Sequence, residues 1–486
     1  MVPGVDGVRR QDGPGKDEVD RMNDFRKTAQ EMLEFIRISP TCFHAVANIG
    51  TMLETAGFQQ LQEREEWKLE RGGRYYTKRN DSSVIAFAIP EKETDIRGFH
   101  MAAAHSDSPC FKIKEKPELV VEEHYLRLNT EKYGGMILST WLDRPLSVAG
   151  RLAVKNGNGI EGRLVNIDRD LCVIPNVAIH MNREMNKGVE YNPQVDLLPL
   201  FADVTFDAHD AHTAYDAQTA YDAQTAYDAQ TASENAEEQP ETVEKPTLAA
   251  LAAEAAGVDA ETILGEDLFL YTRQEGKFLG AKGEFVLSPR LDDLQSAFAL
   301  AKAFTESTPV DYINLCAVFD NEEVGSGTRQ GADSTFLEDT LQRITEGLQE
   351  GHSTYLRWVA DSFLISADNA HAVHPNHPEK ADPANRPYLN GGIVIKYHGS
   401  QKYTTDGISA ARMKDYCERA KVPYQTYANR SDIAGGSTLG NISTAHVSVS
   451  SVDIGLPQLA MHSAVETAGM MDTEYAVRAL KEFWGE

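Results

Sequence analysis

Histidine and acidic residues occur in five short stretches of this sequence where strands are predicted to end. The stretches are residues 105–107, 291–293, 320–323, 366–368 and 460–463. In an open α/β sheet, the carboxyl ends of the strands line the crevice in which ligands bind. A ligand set can therefore be assembled from several strand ends, and imidazole and carboxylate groups suit metal binding or acid–base catalysis.

Each stretch taken alone also has an ordinary structural explanation. An Asp after a strand is usually a turn residue or a helix N-cap, and adjacent acids usually lie on a solvated face. Glu322 and Glu323, however, follow the apolar run from Ile313 to Phe319 and precede Val324 and a glycine-rich turn. Burying two neighbouring carboxylates there is costly without a cation.

Two histidines and three carboxylates form a ligand set that suits a pair of zinc ions. Zinc accepts imidazole nitrogen and carboxylate oxygen, and catalytic zinc sites keep a position open for water. Two metals about 3.5–4 Å apart need a bridging carboxylate, and they hold a hydroxide for attack on a carbonyl. A nearby carboxylate that is not a ligand takes the proton from that water. A Glu-Glu pair supplies one carboxylate for each role.

The segments around these stretches alternate between strand and helix patterns. Apolar residues at three- and four-residue steps predict a first helix from Arg21 to Ile38, which Pro40 ends. Buried strands are predicted at residues 84–89, 99–104, 313–319, 363–367, 392–396 and 447–454, with helical patterns between the later ones. Such alternation predicts an α/β fold with a largely parallel sheet covered on both faces.

Changes in composition and in the predicted strand and helix patterns divide the chain into domains. We predict a disordered lead-in at residues 1–20, an α/β domain formed by 21–112 and 266–486, and an inserted β-rich domain at 113–265. Within the insert, six-residue repeats at 209–232 and an acidic stretch predict a disordered loop at about 207–247. These repeats are too short and too polar to stack as a solenoid.

The composition argues against several classes of function. Among the 486 residues, Lys and Arg number 47 and Asp and Glu number 74, which gives a net charge of −27. Nucleic acids and anionic membrane surfaces are polyanions, so neither is expected as a main partner. No apolar run reaches the roughly 18 residues of a membrane-spanning helix, and no secretory signal is visible. Five widely spaced cysteines without a C-x-x-C motif favour a reducing cytoplasm.

Longer motifs around the five stretches resemble the aspartyl aminopeptidase family of di-zinc metallopeptidases. The matching motifs occur in the family's order at residues 39–47, 105–109, 133–135, 139–144, 178–180, 288–293, 320–326, 366–375 and 457–463. The resemblance implies a mixed, mostly parallel sheet flanked by helices, similar to other zinc peptidases. It also implies that the β-rich insert is a dimerisation domain, and that dimers assemble into a tetrahedral homododecamer.

The resemblance implies a ligand set for two zinc ions per subunit. One zinc is held by His105, Asp292 and Asp368, and the other by Asp292, Glu323 and His462, so that Asp292 bridges them. Cobalt and manganese are the alternative metals.

The resemblance also implies catalytic and substrate-binding roles. Glu322 is the general base, and Asp107 orients His105 from behind. Substrate contacts are implied for His371, Lys396, Tyr403 and, from a neighbouring subunit, His180. Taken without the resemblance, Lys396 is typical of a solvated lysine, His371 and His180 of structural residues, and Tyr403 of a packed residue or an oxyanion donor.

The sequence as a whole predicts a cytoplasmic metallo-aminopeptidase that releases the N-terminal residue, preferably Asp or Glu, from peptides with a free N-terminus. The net negative charge repels acidic peptides at long range, so this preference must arise locally. One alternative is another di-zinc hydrolase, such as a carboxypeptidase or an N-deacylase, against which Lys396 and His180 weigh. A catalytically silent assembly or cargo-binding protein is the other alternative, but all six ligand and base positions are filled.

Overall fold

The computed structural model describes residues 16–92, 95–205, 247–433, 435–436 and 438–486. Within them the chain forms two compact units. The first comprises the chain up to Phe111, Lys132–Trp141 and Tyr271–Glu486, and the second comprises Lys112–Glu131 and Leu142–Leu270.

The predicted domain boundaries require a correction. The sequence predicts one continuous insert at 113–265, whereas Lys132–Trp141 belongs to the first unit and the second unit extends to Leu270. The backbone N–H of Ile137 donates to the carbonyl of His462 at 2.9 Å, which ties the returning segment to the first unit. Backbone hydrogen bonds of this kind leave no pattern in a sequence. The role of the insert in dimerisation stays a prediction.

Two segments predicted to be disordered lie mostly outside the described residues. The lead-in was predicted at 1–20, but the first helix begins at Lys16, so residues 16–20 are helical and 1–15 lie outside. The repeat loop, predicted at about 207–247, lies outside except for Thr247. Thr247 is the N-cap of the following helix, because its side chain accepts from the N–H of Ala250.

The described residues contain nine α-helices, and none of these is both long and apolar enough to cross a membrane. The helices are α1 (Lys16–Arg37), α2 (Cys42–Thr55), α3 (Leu248–Ala256), α4 (Leu291–Thr305), α5 (Phe336–Gly347), α6 (His352–Ala360), α7 (Gly407–Ala420), α8 (Leu439–His446) and α9 (Asp472–Trp484).

Twenty strands lie in the same residues. They are β1 (Gln59–Gln60), β2 (Arg74–Arg79), β3 (Ser83–Ala88), β4 (Phe99–His105), β5 (Cys110–Val121), β6 (Tyr125–Tyr133), β7 (Leu146–Asn156), β8 (Gly159–Asn166), β9 (Leu200–Asp203), β10 (Ile263–Thr272), β11 (Lys277–Leu279), β12 (Phe285–Ser288), β13 (Ile313–Phe319), β14 (Phe363–Ala367), β15 (Ala370–His371), β16 (Ile393–Tyr397), β17 (Tyr424–Ala428), β18 (Ser450–Gly455), β19 (Pro457–Leu459) and β20 (Glu466–Gly469).

A nine-stranded sheet forms the centre of the first unit. Its order is β1-β2-β3-β13-β4-β14-β18-β16-β17. The pairs β2/β3, β3/β13 and β16/β18 are antiparallel, and the other five neighbouring pairs are parallel. The predicted α/β fold with a mixed, mostly parallel sheet is therefore confirmed.

Helices cover both faces of this sheet. Apolar residues of α1, α2, α4, α7 and α9 form one buried cluster with the sheet, and those of α5, α6 and α8 form the other. Successive strand residues point to opposite faces. In β4, Ala102 and Ala104 accordingly lie in the first cluster, whereas Met101 and Ala103 lie in the second. This double burial explains the continuous apolar runs by which the strands were predicted.

The second unit is built on a separate six-stranded sheet in the order β8-β7-β10-β5-β6-β9. The pairs β7/β8, β5/β10 and β6/β9 are antiparallel. This antiparallel sheet confirms the β-rich character that was predicted for the insert.

A five-stranded sheet, in the order β11-β12-β20-β19-β15, completes the first unit. Its strands pair Ser288 with Glu466 and His371 with Gln458. Since Ser288 lies just before α4 and Gln458 lies just before His462, this sheet connects chain segments that carry predicted site residues.

Candidate metal centre

Three adjacent strands of the central sheet end side by side. The parallel strands β13, β4 and β14 are neighbours, and Phe319 pairs with His105 while Ser366 pairs with Ala103. His105 is therefore the last residue of its strand, with Asp368 just beyond the end of the next strand. Glu322 and Glu323 lie in a short 3₁₀ helix after β13. This edge of the sheet is where ligand sites of open α/β sheets occur.

Asp292, at the start of α4, lies between two histidines. One carboxylate oxygen, Oδ1, is 3.6 Å from Nε2 of His105, and the other, Oδ2, is 3.5 Å from Nε2 of His462. The same nitrogen of His462 is 3.4 Å from Oε1 of Glu323. A carboxylate whose two oxygens face different imidazole groups has the arrangement of a ligand that bridges two cations.

The five predicted ligands fall into groups whose donor atoms converge within 4.8 Å of one another. The groups are His105, Asp292, Asp293 and Asp368, then His105, Glu322 and Glu323, and finally Asp292, Glu323 and His462. Asp293 is an additional member, which lies in the candidate stretch 291–293 but is not among the predicted ligands.

The residues at this site fit metal ions. Oδ1 of Asp292 and Oδ1 of Asp293 are buried and have no hydrogen-bond partner, which is costly for a carboxylate unless a cation lies beside it. Burial, and then the Asp292 carboxylate, raise the pKa of Glu323 well above its usual range. Against the effect of burial, the hydrogen bond to Asp292 and the Glu323 carboxylate raise the pKa of His462 to about 10. Mixed imidazole and carboxylate donors are those that zinc prefers.

Both histidines present the same ring nitrogen to the site. Nδ1 of His462 donates to the carbonyl of Gly135 at 2.8 Å, and Nδ1 of His105 lies 3.1 Å from the carbonyl of Asp107. Nε2 of each ring is then the nitrogen that faces Asp292, and it can bind a metal ion once it has lost its proton. Outer hydrogen bonds of this kind fix the tautomer and ring orientation of metal-binding histidines.

Asp107 links the histidine to the glutamate pair. Besides its contact with His105, its carboxylate accepts from the N–H groups of Glu322 at 3.1 Å and Glu323 at 3.2 Å. The hydroxyl of Tyr133 donates to the same carboxylate at 2.7 Å.

Glu466 is a buried acid that the sequence analysis missed. Its carboxylate accepts from the backbone N–H of Asp292 at 3.0 Å and from that of His462 at 2.8 Å. It therefore positions the backbone at two of the predicted ligands at once. The available signal was an acid four residues after His462 inside a run of small and apolar residues, which is a weak pattern.

A comparison of the whole chain with models of known protein families identifies its family. The model of the family "Aminopeptidase I zinc metalloprotease (M18)" matches residues 35–484. The chain belongs to the M18 family. It is therefore a zinc-dependent aminopeptidase, as the sequence predicts.

Individual relatives and solved structures also resemble this chain over most of its length. "Probable M18 family aminopeptidase 2" of Clostridium novyi is 44% identical over 462 residues, which cover 94% of this chain and 98% of the relative. The structure of Ape4 in complex with Nbr1 superposes with a TM-score of 0.85 at 35% identity, covering 95% of this chain and 86% of that one. The dodecamer of mApe1 from S. cerevisiae gives a TM-score of 0.76 at 25% identity, covering 95% and 97%.

Lys396 and Tyr403 lie inside this M18 enzyme rather than on its surface. Lys396 is 2% exposed, and its Nζ is 3.5 Å from Oδ2 of Asp368. The same Nζ lies 5.3 Å from the ring centre of Tyr403, which is also buried. The alternative of an ordinary solvated lysine is therefore wrong.

His371 and His180 both lie at exposed positions. His371 lines a cavity of about 450 Å³ together with His374, Arg430 and other residues of the first unit. His180 belongs to the second unit and lies in an exposed turn beside Met181, which is 82% exposed. Its predicted contact with a neighbouring subunit stays a prediction.

Proposed function

We propose that this M18 aminopeptidase binds two zinc ions and removes the N-terminal residue, preferably Asp or Glu, from peptides. The observation that carries the proposal is the position of Asp292 between Nε2 of His105 and Nε2 of His462.

Each zinc position has three donors. His105, Asp292 and Asp368 hold one ion, and Asp292, Glu323 and His462 hold the other. Convergence of these donor atoms within 4.8 Å, and the lack of a hydrogen bond to Oδ1 of Asp292, support this assignment. Cobalt and manganese take the same donors.

The residues around the metals perform the proton transfers and position the substrate. The zinc pair, when bound, polarises the scissile carbonyl and acidifies water. Glu322 takes a proton from the attacking water and gives it to the amine of the leaving peptide. Asp107 holds Glu322 in place through the backbone N–H, at 3.1 Å.

Lys396 supplies the preference for acidic residues. Its buried ammonium, beside the Tyr403 ring, offers a local cation to the carboxylate of the substrate's first residue. Against the effect of burial, the Asp368 carboxylate raises its pKa, so the group stays charged. His371 lines the adjoining cavity, and His180 of a neighbouring subunit completes the site in a dimer-built dodecamer. The dodecameric mApe1 supports that assembly.

A panel of chromogenic anilides tests this function. We expect the order Asp and Glu well above Leu, and no hydrolysis when the N-terminus is acetylated. Cleavage of blocked peptides would favour an N-deacylase, and release of C-terminal residues would favour a carboxypeptidase. A folded, zinc-loaded protein that hydrolyses no substrate of the panel would favour a silent assembly or cargo-binding protein.

A further inference from the structure

The segment Lys132–Trp141, here called the arm, has no role in the proposed function. The residues on either side of it, Glu131 and Leu142, belong to the second unit, whereas the arm belongs to the first. The arm contacts two of the proposed ligands, Glu323 and His462.

The arm holds His462 at both its ring and its backbone. The carbonyl of Gly135 accepts from Nδ1 of His462 at 2.8 Å, and the N–H of Ile137 donates to the His462 carbonyl at 2.9 Å. Thr140 Oγ1 accepts from the N–H of Ala464 at 2.9 Å. His462 has a φ of +64°, a backbone conformation that is uncommon for residues other than glycine and that neighbouring contacts stabilise here. The arm provides several of those neighbours, and Glu466 provides another by accepting from the N–H of His462 at 2.8 Å.

The arm also holds Glu323. The Tyr133 hydroxyl donates to Oδ2 of Asp107 at 2.7 Å, and that oxygen accepts from the Glu323 N–H at 3.2 Å. The hydroxyl also accepts from Nδ2 of Asn321 at 2.8 Å. Gly134 has a φ of +78°, and a Cβ on it would stand 3.2 Å from Cβ of Glu323 and 3.3 Å from its carbonyl oxygen.

The ligands of the other metal position are held mainly by other elements. Asp107 links the arm to one of them, because its carboxylate accepts from Tyr133 at 2.7 Å and its carbonyl lies 3.1 Å from Nδ1 of His105. The N–H of Asp368 donates to the carbonyl of Ile454 at 3.1 Å, and its side chain pairs with Lys396. The N–H of His105 donates to Oδ2 of Asp293 at 3.3 Å.

We infer that the arm positions Glu323 and His462, so that metal affinity at their position depends on the arm more strongly than affinity at the position of His105 and Asp368. This inference rests on the two-zinc site of the proposed function. Outer contacts to metal ligands typically change metal affinity by about 10- to 100-fold.

Zinc titration of the stripped, full-length enzyme against a chromophoric chelator tests the inference. The wild type should show two binding steps, and His462→Ala identifies the step that belongs to the second position. In Gly134→Ala that step should weaken by about 10- to 100-fold, because the new methyl group displaces Glu323, while the other step changes less than about threefold. Tyr133→Phe, which removes only the hydroxyl, should weaken the same step by a smaller factor, and should weaken the other step, which it reaches through Asp107, less still.

Gly57→Ala is the matched control. Gly57 has a φ of +84°, close to that of Gly134, and its Cβ would meet no atom within 4 Å. Gly57→Ala therefore introduces a similar backbone strain without contact to a metal ligand. Its zinc titration should match that of the wild type.

Equal weakening of both steps, or no weakening in folded Gly134→Ala and Tyr133→Phe, would overturn the role of the arm while leaving the two-zinc site intact. If Gly134→Ala does not fold, Tyr133→Phe decides alone. A wild type that binds only one zinc would overturn the proposed site, and the inference with it.

Discussion

Glu322 and Glu323 are adjacent in the chain but serve different purposes in the proposed site. Their N–H groups donate to separate oxygens of Asp107, at 3.1 and 3.2 Å. Only Glu323 approaches His462, with 3.4 Å between Oε1 and Nε2. In the proposed site we therefore assign the proton transfer to Glu322 and metal binding to Glu323.

Glu322→Gln should therefore abolish turnover without loss of metal. The amide keeps the shape of the side chain but cannot accept the proton, so we expect kcat for an Asp-anilide to fall by about 10²- to 10⁴-fold. Zinc per chain, measured by elemental analysis, should stay unchanged. Glu346→Gln, on the exposed face of α5, is the matched control. A rate near that of the wild type in Glu322→Gln would refute the role of base.

Lys396→Met should change substrate preference. Methionine keeps most of the buried chain of Lys396 but removes the cation, so kcat/KM for an Asp-anilide should fall by about 10- to 100-fold relative to that for a Leu-anilide. The ratio of the two substrates separates recognition from general damage, because Lys396 also pairs with Asp368. Lys414→Met, a half-exposed residue of α7, serves as control. An equal loss on both substrates would contradict the specificity role.

The predicted ligands could be found in the sequence because each follows a recognisable strand or lies in a motif. Glu466 could not, since its importance lies in accepting backbone N–H groups and in burial beside other acids. Neither of these properties can be predicted from the type of residue alone.

The strands differ in how well the sequence predicts them. The predicted bounds of β13 and β14 agree with the structure because both strands are mostly apolar and are buried on both faces. Strands of two to four residues, such as β15 and β19, are too short to show a period. The sequence places the arm in the insert because the contacts that tie it to the first unit involve several backbone groups, which are the same for every residue type.

The packing of β4 against α9 makes stability depend on pH. His100 stacks on Tyr312 at 3.7 Å between ring centres and on Phe483 at 4.6 Å. Burial lowers the pKa of His100 to about 3. Below pH 6.5 the imidazole is therefore protonated in the unfolded state but stays neutral in the folded state. The contribution of His100 to the free energy of unfolding is therefore fully present well above pH 6.5 and is lost as the pH falls toward 3.

His100→Phe should remove that pH dependence while keeping the aromatic stack. Between pH 7 and pH 5, the free energy of unfolding of the wild type should fall by about 2 kcal/mol more than that of the variant. Urea denaturation at the two pH values measures this difference. His352→Phe, at the exposed start of α6, controls for loss of a histidine. Parallel losses in wild type and His100→Phe would contradict the account.

The net charge of −27 means that long-range forces do not attract acidic peptides to this molecule. In the proposed function, recognition of an acidic first residue comes instead from a few buried groups and, in the proposed assembly, from His180 of a neighbouring subunit. A residue that acts between subunits can be tested by mixing variants.

Complementation between subunits should occur if His180 completes a neighbour's site. Homomers of Glu322→Gln and of His180→Ala should both be weak, but subunits mixed and reassociated in equal amounts should regain about a quarter of wild-type activity. That fraction arises because half of the random dimers are mixed and each mixed dimer holds one intact site. Mixing without reassociation is the control. No gain after reassociation, with mixed assemblies verified by mass, would refute the shared site.

The central claim is that Asp292 joins two zinc ions in one pocket with His105 and His462. Elemental analysis of zinc per chain in the wild type and in Asp292→Ala tests it most directly, with Asp415→Ala on the exposed face of α7 as control. We predict about two zinc ions per chain in the wild type and the control, and fewer than about one in Asp292→Ala. An Asp292→Ala enzyme that retains both ions would contradict the claim.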